Sequence, residues 1–305
     1  MNVSMPSTVD WCEGNYQITE YIAEFWNTVS GMCLVFSGIL FYENNTSWIQ
    51  KRSKYTANFC RLVALMVLVG VGTILFHSTL YYPFQLLDEL PMILLANEYI
   101  NVLLMLTTTQ CCLSMKYYTV LRKVVGTTRS LIPFIVVVYF VDPVLQIFLF
   151  HIALKMSEIS VIFVLYKLST KLNHIVYSQI CKDQDFLQSQ NKKMTASTIG
   201  FNVYRRSVKT QADVFKRSSL LYISQKRIKT YLQYRNRLNR ITRVGLCVYG
   251  ASLGLWCLEN LFCKYVEPLQ FHALWHVLSS IGVYHLNSII KTHVEIDQFT
   301  FGQQD

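Results

Sequence analysis

Apolar residues run through this chain in blocks of about twenty, divided by short polar stretches, rather than in the narrow stripes of a soluble amphipathic helix. A block of that length crosses the hydrocarbon of a bilayer as an α-helix. The pattern predicts seven spans, at residues 21–42, 58–80, 86–108, 128–147, 149–168, 244–262 and 270–290. The fourth and fifth are hard to separate, because Asp142-Pro143 interrupts one and Lys155 and Glu158 fall in the other; six or eight spans also fit. The expected fold class is an all-α membrane protein, a seven-transmembrane-helix bundle.

Composition agrees with this reading. Of 305 residues, 52% are hydrophobic and 15% charged, against about 25% charged in an average soluble domain. The first twenty residues hold Asp10, Glu13 and Glu20 and no Lys or Arg, the reverse of a cleavable signal peptide, so the first span is expected to act as its own insertion signal. Basic residues follow spans one (Lys51, Arg52, Lys54), three (Lys116, Arg122, Lys123, Arg129) and five, while the other side is mainly acidic. The positive-inside rule then places the N-terminus in the lumen or outside and the C-terminus in the cytosol. Sequons at Asn44 and Asn45 fall on the cytosolic side and should stay bare, whereas Asn2 lies on the lumenal side.

The charge is not evenly spread. Residues 169–243 hold sixteen Lys and Arg against Asp183, Asp185 and Asp213. The expected organisation is therefore a first piece, 1–168, a basic cytosolic insertion, 169–243, and a last piece, 244–305. The insertion reads either as partly disordered or as an interfacial helix on an anionic leaflet, as in "LLYISQKRIKTYLQYRNRLNRI" (220–241). A net charge of +10 with no recognition fold does not point to nucleic acid. Nine cysteines include no CxxC pair; Cys33, Cys60, Cys247 and Cys257 lie inside spans, whereas Cys12 and Cys263 lie just outside them.

Ionisable groups inside spans are costly and are functional candidates by default. His272 and His276 stand four apart and share one helix face, a geometry able to chelate zinc. Read alone, the pair fits interfacial placement or cross-helix hydrogen bonding equally well. His77 lies near the end of the second span, on the membrane side where the seventh begins, and three histidines with an open fourth position are the ligand set of catalytic zinc. Thr73 precedes His77 by one helical turn. Asp88 opens the third span, where it could take a proton from activated water or simply cap the helix. Near the N-terminus, Asp10, Glu13, Asn15 and Glu24 offer the hard oxygens that calcium prefers, or an ordinary acidic tail.

The stretches "STVDWCEGNYQITEYIAEFWNTVS", "FHSTLYYPFQLLDELPM", "WCLENLFC" and "FHALWH" resemble the alkaline ceramidases, seven-span zinc-dependent hydrolases in a superfamily with the adiponectin receptors. The resemblance is close over residues 7–30, 70–95, 255–263 and 271–276, and only in outline between them. It implies hydrolysis of the amide of ceramide to sphingosine and a free fatty acid in the ER or Golgi membrane. By motif, it implies zinc at His77, His272 and His276, with Asp88 as acid and base and Thr73, in place of the family's serine, steadying the oxyanion. It also implies calcium at Asp10, the Trp11 carbonyl, Glu13, Asn15 and Glu24, and a disulfide between Cys12 and Cys263. The connection between spans five and six is longer than the family's, and the one from Cys263 to His272 shorter. The expected partners are ceramide and related lipid amides and the bilayer itself, with lipid entering sideways between helices. Two other functions fit parts of the pattern: a lipid-binding receptor of the same fold, for which "DWCEGN" would be unexplained, and a metal transporter, which would need polar residues along a path.

Overall fold

The structure is a computed structural model that describes residues 5–51, 53–109, 114–199 and 211–301. Within them the regular structure is helical: α1 (Phe25–Gln50), α2 (Ser53–Thr79), α3 (Tyr82–Thr109), α4 (Met115–Val138), α5 (Pro143–Ile199), α6 (Gln211–Val266) and α7 (Phe271–Phe301). Five of these carry a stretch long and apolar enough to cross a membrane, in α1, α2, α3, the first part of α5 and the last part of α6. The protein thus has the build of a multi-pass membrane protein. The other two helices fall short for a visible reason. α4 carries Lys116, Arg122, Lys123 and Arg129, and α7 carries His272, His276 and His285 among its apolar residues.

Several boundaries differ from the hydropathy reading. The fourth helix begins at Met115 rather than 128, because its basic first half is polar but still helical. It ends at Val138, and Pro143 opens α5, so the break that hydropathy blurred falls at 139–142. Proline suits this first helical position, where no backbone N–H is needed. Glu24 does not lie inside the first helix but at its N-cap. Asp88 sits well inside α3, which starts at Tyr82, so helix capping does not account for it. Asn45 is buried, with its amide donating to the Phe41 carbonyl and accepting from Lys291; Asn2 lies outside the described residues.

The chain divides into two compact units, one made of the residues up to Lys167 together with those from Ile241 onward, the other of Leu168–Arg240. In the second unit, residues 168–199 and 211–240 are helical, the later part of α5 and the earlier part of α6. Of the two readings of the basic insertion, the described residues are helical rather than disordered. In the first unit, α1 packs on α2 and α7, and α3 packs on α2, α4 and α7. A cluster of Ile93, Ala96, Ile135, Phe150, Ala153 and Leu154 joins α3, α4 and α5. Large apolar side chains such as Phe36, Val137, Phe148 and Leu261 face outward, as they would toward lipid.

The N-terminal segment is tied to the end of α2 by backbone hydrogen bonds, Ala23 N–H to Ser78 O, Glu24 N–H to His77 O and Ser7 N–H to Leu80 O, each 3.0 Å. Farther along, Thr8, Gln85, Glu89 and Gln146 close a polar network between this segment, α3 and α5. A buried carboxylate and two buried amides are tolerable there because they find partners in one another.

Candidate metal centre

Three imidazoles converge where the end of α2 meets the start of α7. His77, His272 and His276 are all buried, and one ligand atom from each lies within 4.8 Å of the others. Among the described residues no other group of three or more His, Cys, Asp or Glu comes together so tightly. The i, i+4 spacing on α7 brings the rings of His272 and His276 to 4.6 Å, and His77 reaches across at 5.2 and 5.0 Å.

Each ring is held at Nδ1. His77 Nδ1 meets Glu24 Oε2 at 2.5 Å, His272 Nδ1 meets Glu259 Oε2 at 3.1 Å, and His276 Nδ1 meets Ser30 Oγ at 2.8 Å. Such partners fix the ring and favour the Nδ1–H tautomer, which leaves the lone pair on Nε2. His77 Nε2 is buried with no hydrogen-bond partner, an arrangement that costs about 1–3 kcal/mol unless something binds there. Three imidazoles that each bring a ligand atom within 4.8 Å of the others, one of them with an unpartnered buried nitrogen, fit a zinc ion.

Asp88 is buried on α3, and its Oδ1 lies 2.6 Å from the Thr73 hydroxyl, whose oxygen is also 2.9 Å from the Val69 carbonyl. The contact depends on Gly72, where α2 and α3 touch backbone to backbone and a β-carbon would fall on the Leu87 carbonyl. This is a position where the absence of a side chain is needed.

The five residues expected at a calcium site lie together beside this centre, along the segment leading into α1. Asn15 Nδ2 donates to Asp10 Oδ1 at 3.0 Å, and the Trp11 N–H donates to Glu24 Oε1 at 3.1 Å. Glu13 is buried and caps α1 from upstream, its two oxygens accepting the N–H groups of Trp26 and Asn27, 13 and 14 residues on, at 2.6 and 2.8 Å. Those donors belong to the first helical turn, which Glu24 leaves without a side-chain cap. Burial pushes the Glu13 carboxyl above the usual range, and the two backbone N–H groups pull against it. The carboxylates of Asp10, Glu13 and Glu24 do not converge as the imidazoles do. Each keeps lone pairs beyond these bonds, so the set remains one of hard oxygens suited to calcium.

Two links join this segment to the imidazoles. Glu24 touches the Trp11 backbone with one oxygen and His77 with the other, and the Trp11 indole stacks on His272 at 3.8 Å. A disulfide between Cys12 and Cys263 pins the segment to α6, with α-carbons 5.4 Å apart. Cys263 lies one turn beyond Glu259, next to the kink at Phe262. Gln270, with φ of 51°, then turns the chain from the short helix Glu267–Leu269 into α7 two residues before His272.

The profile of the Ceramidase family matches residues 4–299. The chain belongs to the ceramidase family. Among its relatives, a putative alkaline ceramidase of Dictyostelium discoideum, dcd3B, is 25% identical over 95% of this chain and 87% of its own length. Human alkaline ceramidase 1 is 24% identical over 90% of this chain and 78% of its own. Alkaline ceramidase YPC1 of Saccharomyces cerevisiae is 46% identical over 28% of this chain, and that match spans only 26% of the yeast protein.

The ceramidase resemblance did not mark two residues of the centre. Glu259 stands inside "WCLENLFC" as an acid in an apolar span, a signal strong enough to have raised it. Ser30 gives no such signal, since a lone serine in a membrane helix usually bonds its own backbone.

Proposed function

We propose that this protein is an alkaline ceramidase, an intramembrane zinc amidohydrolase that cleaves the amide of ceramide to sphingosine and a free fatty acid. The observation that carries the reading is the set of three buried imidazoles, each held at Nδ1, with the Nε2 of His77 left without a partner, in a chain of the ceramidase family. A zinc ion held by the Nε2 atoms of His77, His272 and His276 would polarise the carbonyl and lower the pKa of water from 15.7 towards about 7. Asp88 then receives the proton of the attacking water on its carboxyl and returns it to the departing sphingoid amine. Thr73 orients Asp88 through its 2.6 Å contact, a role that its extra methyl does not hinder. Glu24 and Glu259 fix the rings of His77 and His272.

In this reading all seven helices span the membrane, with the N-terminus lumenal and the C-terminus cytosolic, in the ER or Golgi. The disulfide Cys12–Cys263 supports a lumenal position for that end, because such bonds persist in oxidising compartments. A calcium ion on Asp10, the Trp11 carbonyl, Glu13, Asn15 and Glu24 would brace the centre through Glu24 and Trp11. The receptor alternative gains nothing from the family match, and the acidic segment makes direct contact with two of the imidazoles. The test is release of fatty acid from ceramide by purified protein. Wild type should cleave, and His276→Ala should lose at least about a hundredfold in rate. A His276→Ala chain that keeps the full rate would sink the proposal.

A further inference from the structure

The three imidazoles are not held alike. His77 and His272 lean on carboxylates, Glu24 and Glu259, whereas His276 leans on the neutral hydroxyl of Ser30. That hydroxyl has one proton to give. Ser30 Oγ lies 2.9 Å from the carbonyl of Asn27, which can only accept. With its proton committed to that carbonyl, Ser30 Oγ must accept from His276 Nδ1–H at 2.8 Å. Ser30, Asn27 and His276 are all buried.

We infer that Ser30 is a positioning residue that holds His276 as the Nδ1–H tautomer, leaving its Nε2 lone pair for the metal. The inference rests on the zinc reading above. Ser30 lies 246 positions from His276 in sequence, and α1 brings it there by packing along α7. The same helix pair supplies a built-in comparison two turns away. Ser37 on α1 is also buried and also bonds α7, but it donates to the backbone carbonyl of Ser280 at 2.9 Å and holds no imidazole. Loss of the Ser37 hydroxyl removes a packing bond; loss of the Ser30 hydroxyl releases the tautomer and rotation of a ligand.

Zinc affinity of the purified full chain is measured by competition with a chromophoric chelator, for wild type, Ser30→Ala, Ser30→Thr and Ser37→Ala. Melting of each metal-free chain is followed alongside. Ser30→Ala should bind zinc about 10- to 100-fold more weakly, Ser30→Thr should recover most of that loss, and Ser37→Ala should bind as wild type does. The metal-free Ser30→Ala and Ser37→Ala chains should melt alike. Wild-type affinity in Ser30→Ala, or an equal loss in Ser37→Ala, overturns the inference while the zinc reading stands. A wild-type chain that binds no zinc overturns both.

Discussion

Gly72 stands one residue before Thr73, at the point where the backbones of α2 and α3 touch. A β-carbon at this position would fall on the Leu87 carbonyl and lie 2.6 Å from the Asp88 amide nitrogen. Both are backbone atoms and cannot swing aside. Restoring an ordinary separation of 3.4 Å means parting the helices by roughly 0.8 Å at Asp88, and by more at Leu87. The Thr73–Asp88 contact, 2.6 Å in the native chain, would then open to about 3.4 Å, beyond a useful hydrogen bond. Overpacking of this kind costs about 1–3 kcal/mol of stability, and a displacement near 1 Å in a catalytic group costs about a hundredfold in rate. Gly72→Ala should therefore lower both the melting temperature and kcat for ceramide, the latter at least about tenfold. Gly250→Ala and Gly254→Ala on α6 are the controls, since nothing lies within 4 Å of a β-carbon at either position; they should be neutral or slightly stabilising. If Gly72→Ala keeps the wild-type rate and melting temperature, close helix approach does not set the position of Asp88.

Glu259→Gln should keep the fold but weaken zinc binding about 10- to 100-fold, measured by chelator competition, because His272 loses its carboxyl partner at Nδ1. Asp88→Asn should retain one zinc per chain while ceramide cleavage falls at least about a hundredfold, so zinc content and rate separate in this variant. Cys12→Ser should lower stability by about 2–5 kcal/mol and reduce activity, because the segment carrying Trp11 loses its tie to α6. Equal melting temperatures with and without the disulfide would contradict that expectation.

The arrangement of helices was largely legible, because a bilayer demands long apolar runs and these survive in almost any local context. What hydropathy misread were places where helix and polarity part company. The basic first half of α4 is helical without being apolar; the segment beyond Lys167, read as either partly disordered or helical, is helix where described. At the centre, motif resemblance singled out His77, His272 and His276, which the fold brings together from two helices. It named Thr73 for the oxyanion, and the structure adds a contact with Asp88 that the sequence did not show. Glu13 was expected to hold calcium, and its capping of α1 could not be read from a chain in which the capped N–H groups lie 13 and 14 residues away. Ser30 was invisible for a general reason. A hydroxyl acquires its meaning only from what packs beside it, and here that neighbour is at the other end of the sequence.

The central claim is that the three imidazoles hold a zinc ion on which cleavage of ceramide depends. Its most direct test is a titration: strip the purified chain with chelator, return zinc in measured fractions, and follow bound metal and ceramide cleavage together. Activity should fall to background on stripping and return in proportion to zinc, saturating at one ion per chain, with no recovery in His77→Ala. Full cleavage by the stripped chain, or recovery in His77→Ala matching wild type, would contradict the account.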